Sequence, residues 1–434
     1  MIMRRMSIAL MSIIAITSIY LVSKETKQQI VDQRALLAHQ AKTQNFALLK
    51  RELDNVFLEN SDWPETIEIN EDKFDVKYSF DSRLTDFVEN LLKRHRSDYS
   101  AIVVMENDTG KILAAVGHER QGNQFNRSLA FSSTHPAASL IKIVTSADLL
   151  ENTPVNVETE FSFRGRGTTL YRSQIETPKS RATNKQTLER AFAYSNNVIF
   201  GRAAIGNSSN DSLFKMATEF GFNQEIMNDI SLTRSVFHMP TDDYNLAEMA
   251  SGFNRETLIS PIHASVLAAI VANNGLRRAP RIIESVKNRE TGEELWLNDL
   301  RSERVFSAET AGSLRKLMQA TTKSGTARGA FRQLPKRMSD RLEIGGKTGS
   351  IKGGMPFGRR DWFVAYAKPD MGHKTHGGIS IAVMNVNVNK WYVKCTFLAR
   401  EVVRYYYSQI DPLDEMTLAS GSDAVKKNKN KVEL

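Results

Sequence analysis

The sequence feature that most constrains the fold is a helix start near Ser139. The stretch from His135 to Lys142 contains a proline followed by small residues and opens the apolar run at 143–145, a pattern typical of a helix that begins inside the protein core. Ser139 and Lys142 are three residues apart, so their side chains lie on one helix face, one turn apart. A buried helix start here would enclose a hydroxyl and an amine together.

This pair can carry chemistry only in a special environment. A serine hydroxyl is a poor nucleophile unless a neighbouring group takes its proton. A lysine is a poor base unless burial or a positive neighbour lowers its pKa. The free N–H groups and the positive dipole end of a helix start favour a developing oxyanion. Taken alone, S-x-x-K is common by chance, and an exposed helix that carries both residues is the simpler interpretation.

A second segment, S-x-N, consists of Ser195 and Asn197 at the start of another apolar run. Ser and Asn are good residues for starting a helix, and capping is the simpler interpretation. In a catalytic interpretation, the hydroxyl would relay a proton and the amide would contact a substrate peptide bond.

A third segment is rich in glycine and predicts a strand that a ligand can approach closely, from residue 343 to residue 350. Lys347 would supply a second positive charge that keeps the first lysine neutral and attracts an anionic substrate. Thr348 and Ser350 could bind a terminal carboxylate. The backbone N–H of Ser350 and that of Ser139 could form an oxyanion hole. Read alone, the segment is also compatible with a glycine-rich turn.

In chain order the three segments form the triple S-x-x-K, S-x-N and K-T-G. With this triple, the sequence resembles the penicillin-binding transpeptidase family from about Tyr99 to about Tyr407. The resemblance extends to further segments at 104–114, 125–127, 259–261, 268–275, 325–327 and 361–366. Family members often carry Pro-Gly before the serine and Pro after the lysine, where this chain has Ala137, Ala138 and Ile143.

The resemblance implies an α/β (α+β) fold, in which an antiparallel sheet is flanked by helices and joined to an all-helical subdomain. It also implies a reaction. The serine is acylated by the penultimate D-alanine of a peptidoglycan stem peptide, and an amine of a second stem then takes the acyl group. β-Lactams mimic the D-Ala-D-Ala end and stall the enzyme as an acyl adduct.

Carried onto this sequence, the resemblance implies eight site residues and no cofactor or metal. The catalytic ones are Ser139 (nucleophile), Lys142 (general base), Ser195 (proton relay) and Lys347 (positive field). The substrate-binding ones are Asn197, Thr348, Gly349 and Ser350. Arg359 and Arg360 are further candidates to guide an anionic stem peptide.

Other functions on the same motifs stay open. In a D,D-carboxypeptidase, water rather than an amine accepts the acyl group, and the sequence does not decide between these acceptors. A serine β-lactamase needs fast deacylation and usually lacks a retained membrane anchor. A non-catalytic β-lactam sensor would need a signalling domain, and a scaffold of a wall-building complex would not require all three motifs.

The first residues predict a membrane anchor. Residues 6–22 are free of charge and follow Arg4 and Arg5, which indicates an uncleaved signal anchor, with cleavage as the alternative. The expected location is therefore the cytoplasmic (inner) membrane, with a single span and the catalytic domain on the extracytoplasmic, periplasmic side. The chain divides into an anchor (1–24), a helical stalk and small N-terminal region (25–95), a transpeptidase domain (96–410) and a charged, disordered tail (411–434).

The charge pattern limits the kinds of partner that the protein can bind, and the cysteine count limits its cross-links and metal sites. The net charge of +9 comes from Lys and Arg scattered among acids, so no nucleic-acid partner is expected, and the basic excess suits an anionic envelope. The single Cys395 excludes an internal disulfide and zinc sites of the C-x-x-C type. The expected partners are peptidoglycan stem peptides, β-lactams, the membrane and, as candidates, proteins of a cell-wall synthesis complex.

Hydrophobic periodicity predicts the elements around these motifs. Spaced apolar residues between 24 and 60 predict an amphipathic helix that packs against the globular body. The other predicted elements are a strand at 74–80, a helix at 84–92, a hairpin of 101–105 with 112–116, strands at 362–367 and 378–384, and a helix at 392–408. Strands at both ends with helices between them favour one sheet assembled from distant segments.

Overall fold

The structure is a computed structural model. It describes residues 24, 28–29, 32–33, 36, 43–56, 63–176, 181–295, 302–370 and 377–413. The predicted anchor and the predicted tail lie outside the described residues, except for residue 24 and residues 411–413. Within these ranges, no helix has both the length and the apolar character needed to cross a bilayer.

The helices of the described residues are numbered in chain order. They are α1 (43–56), α2 (Ser82–His95), α3 (Ser128–Phe131), α4 (Lys142–Asn152), α5 (Arg172–Ile175), α6 (Leu188–Ala193), α7 (Asn197–Asn207), α8 (Asn210–Glu219), α9 (Asp243–Ser251), α10 (Pro261–Ala272), α11 (Ala308–Lys323), α12 (Arg328–Phe331), α13 (Lys336–Ser339) and α14 (Cys395–Tyr405). A short 3-10 turn, Ala138–Ile141, leads directly into α4.

The strands are numbered in the same way. They are β1 (Thr66–Ile69), β2 (Asp72–Tyr78), β3 (Tyr99–Glu106), β4 (Ile112–Glu119), β5 (Gln124–Phe125), β6 (His135–Pro136), β7 (Glu160–Phe163), β8 (Asn184–Thr187), β9 (Leu258–Ile259), β10 (Leu276–Arg278), β11 (Ile283–Asn288), β12 (Ser302–Arg304), β13 (Leu342–Gly353), β14 (Gly358–Pro369) and β15 (Ile379–Asn387).

The central element is an antiparallel sheet with the strand order β13-β14-β15-β3-β4-β5. Its middle joins the two ends of the domain, because β3 pairs with β15 and Val103 lies opposite Ala382. The hairpin of β3 with β4 and the sheet built from distant segments are therefore confirmed. This arrangement leaves β13, the strand that carries K-T-G, at one edge.

Both faces of the sheet are covered, which explains why β3 is apolar without alternation from Ala101 to Met105. Ile102 and Val104 belong to one hydrophobic core, with α2 and α14. Ala101 and Val103 face the other core, with α10 and the helices around Ser139. Every residue of α10 is buried, in agreement with a sequence that is apolar on all sides.

The N-terminal region packs directly against this body. Leu49 and Leu53 of α1 are fully buried in the larger core, which confirms an amphipathic helix docked on the globular domain for residues 43–56. β1 and β2 form a three-stranded sheet with β11, in the order β1-β2-β11. The residues before 95 are thus hydrogen-bonded to the region after it, and the division at 95 stays a prediction.

Candidate active site

Ser139 is presented by a tight and partly strained turn. Ala138 before it has φ 50°, in the left-handed region that L residues rarely occupy. The turn packs closely on Gly252 at the end of α9, where a Cβ would overlap the carbonyl oxygen of Ala138. On its other side, Trp362 of β14 donates from its indole nitrogen to the carbonyl of Pro136 at 2.9 Å. The predicted helix start is therefore present, and its first turn is 3-10 rather than α.

Lys142 lies beneath this serine and is fully buried. Its Nζ lies 2.8 Å from Ser139 Oγ, 2.7 Å from Asn197 Oδ1 and 2.6 Å from the carbonyl oxygen of Ser251. Burial, with a smaller contribution from the charge of Lys347, holds the pKa of Lys142 well below its usual range.

These three contacts match a neutral amine. The oxygens of Asn197 and Ser251 can only accept hydrogen bonds, so they take both N–H bonds of an uncharged Nζ. The remaining lone pair then faces the hydroxyl of Ser139. The carbonyl of Ser251 is available because it lies in the last turn of α9, where helix carbonyls lack intrahelical partners. The arrangement can remove a proton from Ser139.

Ser195 also has a positive φ, of 58°. Lys347 on β13 donates to Ser195 Oγ at 2.9 Å and to the carbonyl of Thr348 at 2.9 Å. Burial lowers the pKa of Lys347 to about 7. The second lysine is therefore coupled to the second serine, as the first lysine is to the first.

A helix does begin at S-x-N, but neither Ser195 nor Asn197 caps it. Asn196, between the two motif positions, is the N-cap of α7, and its Oδ1 accepts from the N–H of Ile199 at 3.0 Å. Asn197 is the first helical residue. Its amide joins Lys142 to the loop before α5, because its Nδ2 donates to the carbonyl of Thr168 at 3.0 Å.

The glycine-rich segment forms the edge strand β13 beside the serine. A Cβ on Gly349 would lie 3.4 Å from the backbone nitrogen of Ser139, so this glycine allows the close approach of strand and turn. The Thr348 hydroxyl lies 2.7 Å from that of Thr326. Ser350 is exposed, and its Oγ accepts from Arg359 Nε at 3.1 Å.

Of the two arginines predicted to guide a stem peptide, Arg359 lies at the site and Arg360 does not. Arg359 is exposed, and its guanidinium lies 4.5 Å from the centre of the Trp391 ring. Arg360 is buried and donates to the carbonyl of Gly353 and to Nδ1 of His135. Arg360 therefore supports the β13–β14 hairpin and does not face a peptide, which corrects that expectation.

Two contributors to the site escaped sequence reasoning. Ser251 acts through its backbone carbonyl, for which a sequence gives no side-chain signal. Thr326 lies within 325–327, one of the segments of family resemblance, and a hydroxyl next to a glycine in a loop is the signal that could have pointed to it. In the described residues, His, Cys, Asp and Glu side chains do not gather in groups of three that would hold a metal ion.

Comparison with known proteins agrees with this geometry. Residues 100–382 match the family model described as the penicillin binding protein transpeptidase domain. The chain is 23% identical over 300 residues to stage V sporulation protein D of Bacillus subtilis, covering 65% of this chain and 45% of that protein. It is 24% identical over 307 residues to the peptidoglycan D,D-transpeptidase PbpA of Mycolicibacterium smegmatis, covering 62% and 58%.

A solved structure shows the same fold. The imipenem acyl-enzyme complex of penicillin-binding protein A from M. tuberculosis superimposes with a TM-score of 0.57 at 20% identity, covering 81% of this chain and 82% of that one. The chain spans about half the length of the curated relatives it matches. The family match extends over more than half of the sequence and contains the S-x-x-K, S-x-N and K-T-G segments, and the chain therefore belongs to the penicillin-binding protein transpeptidase family.

Proposed function

We propose that the protein is a peptidoglycan D,D-transpeptidase that works through an acyl-enzyme on Ser139. The observation that carries this proposal is the set of three contacts around Lys142 Nζ, which leaves its lone pair directed at Ser139 Oγ. The family match and the relatives named as D,D-transpeptidases support the same reaction.

In the first step, Lys142 takes the hydroxyl proton of Ser139 as the serine oxygen attacks the carbonyl carbon of the penultimate D-alanine. The oxyanion that forms is stabilised by the backbone N–H groups of Ser139 and Ser350. The carbon–nitrogen bond then breaks, and Ser195 relays the proton that Lys142 took to the leaving D-alanine amine. Lys347, bonded to Ser195 Oγ, supports that relay.

The substrate end is held along β13. The positive charge of Lys347 attracts the terminal carboxylate, and the hydroxyls of Thr348 and Ser350 donate to it. Gly349 keeps the strand close to the nucleophile. Asn197 would hold a substrate amide by exchanging its bond to Thr168 for one to the peptide.

In the second step, an amine of another stem peptide attacks the ester carbon and gives up a proton to Lys142. The bond from that carbon to Ser139 Oγ breaks, Lys142 returns the proton to Ser139 Oγ, and the new amide bond is the cross-link. We further propose that peptidoglycan stem peptides and β-lactams are ligands of this site. In that view, residues 1–24 anchor the protein in the cytoplasmic membrane, with the domain at 96–410 on the extracytoplasmic side, where proteins of a wall-synthesis complex would meet it.

The substitution Ser139→Ala tests the acyl-enzyme. We expect it to abolish covalent labelling by a fluorescent penicillin and to leave the thermal unfolding midpoint nearly unchanged. Ser339→Ala is the matched control, because Ser339 is exposed on α13, and it should label like the unsubstituted protein. Mass spectrometry of the penicillin-treated protein should place the adduct on Ser139. Normal labelling of Ser139→Ala would overturn the assignment.

The products show whether an amine or water accepts the acyl group from Ser139. Incubation with stem peptides that carry a free side-chain amine should yield cross-linked dimers. Trimmed monomers alone would indicate a carboxypeptidase, and sustained turnover of a chromogenic cephalosporin would indicate a β-lactamase.

A further inference from the structure

We propose that Thr326 is a positioning residue of the site, whose hydroxyl orients that of Thr348 toward the terminal carboxylate of the substrate. The proposal rests on the D,D-transpeptidase function proposed above and gives a role to a residue outside the three motifs. Its starting point is the distance of 2.7 Å between the two Oγ1 atoms.

The backbone places Thr326 independently of its side chain. Its N–H donates to the carbonyl of Ala193 at 3.1 Å. Gly325 lies so close to that carbonyl that a Cβ would overlap it. Because Ala193 is two residues before Ser195, these contacts tie the loop that carries Thr326 to the loop that carries Ser195. Substitution of the Thr326 side chain leaves them in place.

The direction of the hydrogen bonds follows from the chemistry of the ligand. A carboxylate only accepts hydrogen bonds, so a bond from Thr348 to the substrate uses the single hydroxyl proton of that threonine. The oxygen of Thr348 keeps its lone pairs, and one of them accepts the proton of Thr326. The two hydroxyls then donate in series toward the carboxylate, and such successive bonds polarise one another. Without the Thr326 hydroxyl, the Thr348 proton is free to rotate away.

The charge and the exposure around the two threonines agree with hydrogen bonds donated toward a carboxylate. Lys347 lies next in the chain to Thr348 and its Nζ bonds the carbonyl of that residue, so its positive charge draws an anionic group to the same place. Thr326 is exposed and Thr348 is half-buried. The pair therefore lies on the open side of the site, where a ligand can reach it.

The test compares two substitutions and two probes. Thr326→Val removes the hydroxyl at nearly constant volume, and Thr326→Ser keeps it. The probes are benzylpenicillin, which has a carboxylate, and its methyl ester, which does not. Because one hydrogen bond to a charged ligand is affected, we expect Thr326→Val to slow acylation by benzylpenicillin about five- to tenfold. The reaction with the ester should change less than about twofold, and Thr326→Ser should behave like the unsubstituted protein with both probes.

A double-mutant cycle with Thr348→Val tests whether Thr326 acts through the hydroxyl of Thr348. In that background, Thr326→Val should cause no further loss, because the oriented hydroxyl is already absent. An equal loss with both probes, no loss with either, or a full effect of Thr326→Val in the Thr348→Val protein would each overturn the proposal. Failure of the proposed function is a different result, in which the unsubstituted protein forms no penicilloyl adduct on Ser139.

Discussion

At the scale of single residues, two buried lysines make different bonds because their neighbours differ. Lys142 faces two carbonyl-type oxygens and one hydroxyl, whereas Lys347 bonds one hydroxyl and one carbonyl. Both have lowered pKa values because burial disfavours the charged form. A lysine whose pKa is lowered by folding makes the folded protein bind fewer protons than the unfolded chain between the two pKa values.

The first prediction concerns stability against pH. The pKa of Lys142 is far lower in the folded state than its unfolded value, so stability rises with pH until the unfolded lysine also loses its proton. Lys142→Met should remove about 1.4 kcal/mol per pH unit from the slope of the unfolding free energy between about pH 8 and 10. Urea unfolding at several pH values measures this slope. Equal slopes in both proteins would show that Lys142 is charged when folded.

The second prediction concerns acylation against pH. The pKa of Lys347 is about 7 in the unliganded protein, so its charge is lost as the pH rises through that value. The second-order rate constant for a carboxylate-bearing penicillin, which reports the free protein, should therefore fall above about pH 7. The rate constant for the methyl ester should lack this decline. A decline shared by both probes would contradict a role of the Lys347 charge in binding the carboxylate and would leave only its role in the relay through Ser195.

At the scale of elements, short loops decide which side chains meet. The Ser195 loop and the loop after α11 are joined by the N–H of Thr326 bonded to Ala193 and by the hydroxyl of Tyr194 bonded to the carbonyl of Ser324 at 3.0 Å. Gly325 permits this approach because it has no Cβ.

Gly325→Ala should therefore separate the two loops. We expect slower acylation and a lower unfolding midpoint, because the added Cβ would overlap the carbonyl oxygen of Ala193. Gly329→Ala is the control, since a Cβ there meets nothing within 4 Å and the residue lies in α12. Alanine is favoured over glycine in helices, so this control should be neutral or slightly stabilising. Similar behaviour of the two variants would contradict the role given to Gly325.

The sequence predicts an element well when the residues that determine it are close together in the chain, and poorly when they are far apart. Periodicity located the β3–β4 hairpin and β14 because apolar runs bounded by turn residues are local features. It did not identify Asn196 as the cap of α7, because three consecutive polar residues all suit a helix start. It also did not reveal the carbonyl of Ser251 beside Lys142, a contact made between distant segments through the backbone.

At the scale of the whole molecule, the N-terminal region is part of the packed body. The fully buried Leu53 of α1 belongs to the same core as the helices around Ser139. Leu53→Ala should therefore lower the free energy of unfolding by about 2–5 kcal/mol. Leu36→Ala is the matched control, because Leu36 is 56% exposed, and it should change stability little. Equal, small effects would mean that α1 is a separate stalk, and thermal or urea unfolding decides this.

The pairing of Val103 with Ala382 has a consequence for the synthesis of the protein. When β3 leaves the ribosome, its future neighbour β15 has not yet been translated, and the middle of the sheet waits for nearly the entire chain. Long-range pairing of this kind is slow and leaves a strand edge open to wrong partners. In a nascent chain that stops before residue 379, β3 is therefore paired on one side only, with β4, and its other edge is exposed to wrong partners.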